Sequence, residues 1–351
     1  MTPRERVLTA WAGGMPDRVP VAIWHTRLFP PDYPPLLEAE ACIIVRSNVY
    51  RIEYADTAVE TETFTDPEGH PRTRTTFHTP AGDLATVTLF RQATTWTLQR
   101  LFRGPADYDA LIALTEATRF APTYEQFAAD DARHGEQGLA RPAPIRTPMY
   151  DIIHEIMGVE AFSVELTERP ERIDALYDAL LARRRRALAV LADSPARIAV
   201  IEGNVCFEIV GPERFRRYHY PAIEEACALS RGRGILTGAH LDSNCRAMAP
   251  LIAATSLDCI EAFTPPPDCD LPVADARRAW AGKGLFLNFP SSVHLSGREA
   301  VLARCRQILS ESAPGEALIV GVTEDTPTNE YLAPLARLVR DEGRLPLANP
   351  P

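Results

Sequence analysis

Apolar and polar residues follow two different patterns along this chain. Segments 57–64, 72–77 and 83–90 alternate apolar with polar positions and are rich in threonine. The turn sequences Asp-Pro-Glu-Gly and Thr-Pro-Ala-Gly separate them. Alternation with a period of two residues, bounded by such turns, is typical of antiparallel strands. The pattern therefore predicts a β-meander over residues 57–90.

From about residue 148 onward, short apolar segments alternate with longer amphipathic ones. Residues 170–192 predict a long helix, and Gly211-Pro212-Glu213 is typical of a helix start. The predicted strands cover 19–24, 197–201, 234–239, 257–260, 284–287 and 316–320. Short apolar strands that alternate with helices indicate a parallel sheet with right-handed crossovers.

The later strands end in polar residues, which are Glu202, His240, Glu261, Asn288 and Glu324. Their mean spacing is about 30 residues, and a (β/α)8 barrel of about 250 residues needs about 31 per unit. An open doubly wound sheet has similar spacing, but it gathers ligands mainly at one switch point. The pattern therefore favours an α/β fold, a (β/α)8 TIM barrel over residues 1–351. The meander at 57–90 is then an N-terminal β-meander extension, inserted into a single barrel domain.

Composition and charge narrow the class of protein. The formal net charge of −10 disfavours binding to nucleic acid or to an anionic membrane. No apolar run approaches the roughly 18 residues of a membrane span, and the first residues lack a signal-peptide core. A cytoplasmic location is therefore expected. Seven cysteines without a CxxC pair predict reduced thiols, and no Walker A or G-x-G-x-x-G motif supports a nucleotide site.

Six short motifs carry a resemblance to a known superfamily. They are Arg4-Glu5-Arg6-Val7-Leu8, Pro16-Asp17-Arg18-Val19-Pro20, Gly211-Pro212-Glu213-Arg214-Phe215, Gly238-Ala239-His240, Asp258-Cys259-Ile260-Glu261 before three prolines, and Thr326-Pro327-Thr328-Asn329. In this order the chain resembles the uroporphyrinogen decarboxylase superfamily. That superfamily holds haem-pathway decarboxylases and zinc-dependent methyltransferases that serve corrinoid and thiol acceptors. The resemblance covers most of the chain, is weakest over the meander, and implies the same barrel.

The chain departs from both well-understood branches of that superfamily. The decarboxylases clamp substrate carboxylates with an Arg-Gln-Ala-Gly-Arg segment, where this chain has residues 24–28 and one arginine, Arg27. The zinc methyltransferases carry His-x-Cys and a distant cysteine. Here His-x-Cys is replaced by His240-Leu241-Asp242, and the distant position is near Val320 and Glu324. The resemblance therefore implies a divergent branch that lacks both thiolate ligands.

His240 and Asp242 are the central candidates for chemistry. They lie two residues apart just past a strand, so both point the same way if the strand continues. With Glu202 and Glu324 they would hold zinc or another divalent metal. Without a metal, the clustered carboxyls would raise at least one pKa and supply a proton donor. The structural alternatives are a core histidine and a carboxylate that caps the next helix.

The remaining candidates are substrate-binding residues at the same mouth, namely Trp24, His25, Arg27, Asn204, Glu261 and Asn288. Trp24 would form a wall of the pocket, and Arg27 would contact an anion. Asn204 and Asn288 would orient the substrate, unless they cap turns at the strand ends. The catalytic set is then His240, Asp242 and Glu324.

Three functional hypotheses follow. The first is metal-dependent transfer of a methyl or one-carbon group from a small substrate to a thiol, or to a corrinoid carried by a partner protein. The second is a decarboxylase or related lyase, in which His240 or a carboxyl protonates a carbanion and Arg27 holds a carboxylate. The third is a non-catalytic binding barrel, which five polar strand ends disfavour. The meander either covers the mouth or forms the surface of a homodimer.

Overall fold

The computed structural model describes residues 1–91, 94–324 and 326–348. The chain divides into two compact units. The barrel unit comprises residues 1–49, 123–145 and 191–351, and the meander unit comprises residues 50–122 and 146–190. Residues 92, 93, 325 and 349–351 lie outside the described residues.

Strands alternate with helices over the second half of the described chain. The strands are β1 (Val21–Trp24), β2 (Cys42–Arg46), β3 (Tyr50–Tyr54), β4 (Ala58–Thr65), β5 (Pro71–Thr79), β6 (Gly82–Arg91), β7 (Thr94–Gln99), β8 (Thr118–Pro122), β9 (Gly138–Arg141), β10 (Ile198–Glu202), β11 (Leu236–His240), β12 (Cys259–Phe263), β13 (Gly284–Asn288) and β14 (Leu318–Val322).

The α-helices are α1 (Pro3–Trp11), α2 (Tyr33–Glu38), α3 (Tyr108–Ala117), α4 (Tyr124–His134), α5 (Pro148–Tyr150), α6 (Val159–Glu168), α7 (Pro170–Ala192), α8 (Phe207–Arg214), α9 (Tyr220–Arg231), α10 (Ala249–Ala253), α11 (Val273–Ala279), α12 (Arg298–Glu311) and α13 (Leu332–Glu342). Short 3₁₀ segments cover His25–Arg27, Pro30–Asp32, Pro105–Asp107, Gly135–Gln137, Arg246–Met248, Ser291–Ser296 and Asn329–Tyr331, and π-helical turns cover Asp151–Met157 and Phe215–His219. None of the helices in the described part of the chain combines the length and the apolar character that crossing a bilayer requires.

Eight parallel strands of the barrel unit form one sheet in the order β10-β11-β12-β13-β14-β1-β2-β9. The first strand joins the two ends of the sequence, because β1 pairs with β2 on one side and with β14 on the other. Between β9 and β10 the described residues form no ladder, but the Ile145 amide donates to the Val200 carbonyl at 3.0 Å. The sheet is therefore a nearly closed barrel, and the predicted TIM-like architecture is confirmed.

Helix α1 packs against the barrel at the amino-terminal side of β13. The helix begins with a reciprocal cap, in which Thr2 accepts from the Glu5 amide and the Glu5 carboxylate accepts from the Thr2 amide. Trp11, at its end, is fully buried and lies edge-on to Phe286, with ring centroids 5.9 Å apart. A Cβ on Gly284 would lie 2.6 Å from the Trp11 carbonyl oxygen. Glycine at this position therefore permits the close approach of the helix.

The meander unit contains a four-stranded antiparallel sheet in the order β4-β5-β6-β7. Its first three strands correspond to the segments predicted between residues 57 and 90, whereas β7 was not predicted. In the sequence the meander follows the second barrel strand, so it is an insertion and does not precede the barrel. The adjoining strands β3 and β8 form a separate antiparallel pair, with Tyr50 opposite Pro122. Leu84 and Tyr108 belong to the buried core of this unit.

Candidate active site

Side chains from three barrel strands form a stack at the carboxyl ends of the strands. Arg141, the last residue of β9, places its guanidinium carbon 4.4 Å from the centroid of the Trp24 ring. Trp24, the last residue of β1, lies beside the His240 ring of β11, with centroids 5.7 Å apart and planes inclined by 33°. We call Arg141, Trp24 and His240 the mouth stack. Because barrel active sites lie at this end of the strands, the stack marks the candidate site.

His240 lies between two carboxylates. Its Nδ1 is 2.6 Å from Glu261 Oε2, and its Nε2 is 3.2 Å from Asp242 Oδ2. The register of the parallel ladder sets Glu261 beside His240, because the two residues are partners between β11 and β12. Glu261 is fully buried, whereas the side chain of Asp242 is 16% exposed to solvent. The imidazole therefore contacts a buried carboxylate, Glu261, through Nδ1 and a partly exposed carboxylate, Asp242, through Nε2.

The carboxylates decide the protonation state of His240. Burial by itself would lower the pKa of the imidazole, because it penalises the charged form. The charges and hydrogen bonds of Glu261 and Asp242 outweigh burial and raise the pKa to about 10. The imidazolium is therefore the stable form at neutral pH, with both ring N–H groups donating to carboxylates. Such a group can donate a proton or stabilise an anion that forms beside it.

Glu324 lies within electrostatic range of Asp242, as the sequence predicts for clustered strand-end carboxyls. Burial and the negative charge of Asp242 raise the pKa of Glu324 above its usual 4.5, and the charge of Asp268 acts in the same direction. Hydrogen bonds from Ser291 and Asn288 oppose that rise. The pKa of Glu324 is therefore raised, which favours its protonated form.

Glu202 has a different local environment from the one expected for a metal ligand. It is fully buried at the end of β10, where its Oε2 lies 2.9 Å from His219 Nδ1 and its Oε1 accepts from the Gly203 amide. His219 is also buried and stacks on Phe215. His219 was not predicted as a site residue, because a histidine within a helical segment has no distinguishing sequence pattern.

Asn288 joins the ends of three neighbouring strands. Its Oδ1 accepts from the Thr323 amide at 3.0 Å and from the Thr323 hydroxyl at 2.9 Å, and its Nδ2 lies 3.3 Å from Thr264 Oγ1. The side chain is fully buried. Asn204 follows β10, and its buried Oδ1 accepts no hydrogen bond from the described residues. Of the two asparagines, Asn204 is thus the one with an acceptor left for a ligand.

His25 and Arg27 are attached to neighbouring loops. His25 Nδ1 lies 3.3 Å from both the Ile44 carbonyl oxygen and the Arg46 amide at the end of β2. Arg27 Nε donates to the Thr323 carbonyl, and the Arg27 carbonyl accepts from Asn329. Both residues therefore connect β1 to the loops beside it.

The described side chains do not fit a resident metal. No group of three or more histidine, cysteine, aspartate or glutamate side chains in the described ranges converges so that it could hold an ion. Both ring nitrogens of His240 contact carboxylates, and Glu202 contacts His219 instead. All seven cysteines are free thiols, and burial raises the pKa of the nearby Cys269 thiol to about 12. The described side chains at this mouth are therefore suited to acid–base chemistry.

His294 is a second buried histidine near the strand ends that the sequence analysis missed. It lies in the 3₁₀ segment after β13, is 3% exposed, and is packed between Phe289 and Tyr331. Neither ring nitrogen has a hydrogen-bond partner among the described residues. Burial lowers the pKa of His294 below its usual 6.5. The neutral imidazole is therefore retained in the folded state.

Replacing His294 by phenylalanine is expected to raise the free energy of unfolding by about 1 kcal/mol, because it removes two unpaired polar atoms from the interior. It should also reduce acid sensitivity. The folded state binds a proton at His294 less readily than the unfolded chain, so stability falls as the pH drops below about 6.5. Urea unfolding at neutral and mildly acidic pH measures both effects. Equal pH dependence of the wild type and His294→Phe would contradict the prediction.

Comparisons with known proteins establish the fold but no family. No protein-family model and no curated protein matches the chain. A methyltransferase from Methanosarcina mazei superposes with a TM-score of 0.58 at 12% identity, covering 97% of this chain and 99% of that one. A dipeptide epimerase from Methylococcus capsulatus complexed with Mg ion is 15% identical over 77% and 89% of the two chains, with a TM-score of 0.18. The first similarity shows a shared fold, and the second is too weak to indicate one.

Proposed function

We propose that this protein is an enzyme that transfers a methyl or other one-carbon group from a small donor, with His240 as its general acid. The observation that carries the proposal is the position of the His240 ring between Glu261 and Asp242, whose charges raise its pKa to about 10. The fold shared with a methyltransferase supports the class of reaction. The motifs around Gly211, Gly238 and Asp258 further support a divergent member of the uroporphyrinogen decarboxylase superfamily.

General acid catalysis suits such a transfer because the donor heteroatom becomes basic as it loses its methyl group. An acceptor thiolate forms a bond to the methyl carbon while the bond from carbon to the heteroatom breaks. The electron pair stays on the heteroatom, which takes the proton from Nε2 of His240. The products are a methyl thioether and the protonated leaving group, and solvent then returns a proton to His240. Glu261 keeps the ring oriented throughout.

Two kinds of methyl acceptor, a thiol and a corrinoid, are compatible with this step. A thiol satisfies the electron balance of the step by itself. A corrinoid carried by a partner protein is the alternative acceptor, and it would supply a strong nucleophile in place of the thiolate. Since the described side chains do not fit a resident metal, we assign the acid function to His240 in either case.

A decarboxylase is the second candidate, and the cation of Arg141 beside the mouth stack favours it. In that reaction the carbon–carboxylate bond breaks, its electron pair stays on carbon, and carbon dioxide leaves. His240 then gives its proton to that carbon, while Arg141 holds a second carboxylate of the substrate. Both candidates need the same acid, so the product distinguishes them.

An isotope-tracing assay tests the proposed function. The purified protein would be incubated with a small thiol, or with a reduced corrinoid, and with methyl ethers, methylated amines and thioethers that carry a labelled methyl group. We expect label in a methyl thioether or methylcorrinoid with wild type and a large loss with His240→Gln. His70→Gln, in the exposed turn of the meander, is the matched control.

Two outcomes would decide against the proposal. Labelled carbon dioxide from carboxyl-labelled substrates, with no methyl transfer, would replace it with the decarboxylase. Transfer at the wild-type rate by His240→Gln would remove His240 as the acid.

A further inference from the structure

We propose that Arg141 binds a carboxylate of the substrate, because its buried guanidinium lies at the strand ends against Trp24 and forms no ion pair with the described carboxylates. The inference rests on the proposed function and narrows its substrate class to small methylated carboxylic acids. From the sequence, Arg27 was predicted to contact an anion. In the structure Arg27 joins the loop after β14, whereas Arg141 is a cation of the mouth stack.

Arg141 is buried to a degree that arginine rarely reaches without a partner. It is 4% exposed, and a guanidinium carries five N–H donors. Among the described residues it makes one side-chain hydrogen bond, from Nη1 to the Pro142 carbonyl at 3.3 Å, and no ion pair within 4.0 Å. Burial lowers the pKa of Arg141, and the charge of Glu261 opposes that change. The site thus holds a buried cation that no carboxylate of the described residues pairs with, and a ligand carboxylate would offset the cost of burying that charge.

Trp24 adds a second unused donor at the same place. Its indole Nε1 is buried and has no hydrogen-bond partner in the described ranges. The ring also covers the guanidinium, with 4.4 Å from the guanidinium carbon to the ring centroid, which stabilises the cation without using its N–H groups. A carboxylate has two oxygens, so it can accept from the guanidinium and from the indole together. Arginine is suited to this because its donors match a carboxylate in pairs.

Glu261 excludes the simplest alternative, in which a protein carboxylate neutralises Arg141 directly. Its Oε2 contacts His240, and its Oε1 is buried without a hydrogen-bond partner in the described structure. It acts on Arg141 through its charge alone. A ligand carboxylate would therefore meet a cation that no protein carboxylate already binds. Trp24 contacts both Arg141 and His240, so a short acid bound at one end places its other end toward the general acid.

Calorimetric titration with methoxyacetate and methoxyacetamide tests the inference without relying on turnover. The two probes differ in charge but little in size. We expect the wild type to bind the acid more tightly than the amide, and Arg141→Met to weaken binding of the acid by about 10- to 100-fold, the usual range for a charge-assisted hydrogen bond. Arg141→Lys should retain part of the affinity. Arg217→Met removes an exposed arginine that also lies over an aromatic ring, Tyr218, and should leave binding unchanged.

Equal binding of acid and amide by the wild type would overturn the inference, and this comparison needs no variant to fold. Unchanged binding of methoxyacetate by a folded Arg141→Met would overturn it as well.

The failure of the proposed function can be distinguished from the failure of the carboxylate site. Selective binding of the acid without methyl transfer would refute the function and keep the carboxylate site. Transfer from uncharged donors at a rate that Arg141→Met does not change would keep the function and refute the carboxylate site.

Discussion

Replacing His240 by glutamine is expected to lower the rate of group transfer by about 100- to 10,000-fold, which is the usual contribution of a positioned general acid. Glutamine retains a hydrogen-bond donor for the neighbouring carboxylates but has no proton to give. The rate is measured with saturating donor, and binding of the donor is measured separately. A fall in affinity with an unchanged maximal rate would assign His240 to binding and not to catalysis.

The pH dependence of the wild-type rate gives an independent readout of the same group. The pKa of His240 is raised to about 10, so the acid form persists through neutral pH. We expect the limb of the profile that reports this group to fall only as the pH rises through about 10. Asp242→Asn removes one of the two charges that raise the pKa, and it should move that limb to lower pH.

The raised pKa of His240 also makes the free energy of unfolding depend on pH. The folded state binds the proton of His240 more tightly than the unfolded chain, whose histidine titrates near 6.5. The stabilisation is therefore complete below about 6.5 and is lost as the pH rises through about 10. His240→Gln should remove this part of the alkaline dependence. An unaltered alkaline limb in the unfolding free energy of the variant would contradict the assignment of the pKa.

Replacing Trp11 by alanine is expected to lower the free energy of unfolding by about 3–5 kcal/mol, the range for removing a buried large aromatic side chain. Trp11, the last residue of α1, is fully buried where the helix packs on the barrel. The absence of a side chain at Gly238 leaves room for the Trp11 ring. A Cβ on Gly238 would lie 2.7 Å from Trp11 Cζ2, so the ring is closely packed against the strand that it covers.

Urea unfolding followed by far-ultraviolet circular dichroism measures this effect without depending on tryptophan fluorescence. Trp11→Phe keeps most of the apolar volume and should lose less than half as much stability. A loss below about 1 kcal/mol for Trp11→Ala would show that α1 contributes little to the barrel, contrary to the packing described.

The sequence predicted the strands of the second half of the barrel to within three residues at each end. The predicted strand 197–201 corresponds to Ile198–Glu202, and 284–287 corresponds to Gly284–Asn288. Apolar runs mark the buried part of a strand, and the ladders of β10, β11 and β13 continue into the polar residues Glu202, His240 and Asn288, whereas Glu324 lies two residues beyond β14. For this reason the polar ends were found together with the strands.

Two barrel strands were not predicted, β2 and β9. The Cys42–Arg46 run is apolar, but the next barrel strand follows only after the inserted meander, so the regular alternation is broken there. β9 has four residues, Gly138–Arg141, and no apolar run that exceeds two residues. Arg141 is the last residue of β9. Because this strand was not predicted, Arg141 was not predicted as a residue of the site either.

The sequence by itself determined the barrel, because the period of apolar segments is a local property that burial imposes on every strand and helix. It also determined that His240, Asp242 and Glu324 belong to one mouth, because parallel strands place their carboxyl ends on the same side. Only the tertiary structure decided the partners. The register of the parallel strands places Glu261 beside His240, and the fold places Glu202 within hydrogen-bond distance of His219. Arg141 and Trp24 are 117 positions apart, and they lie in contact because β9 and β1 flank β2 in the sheet, an order that the sequence pattern does not specify.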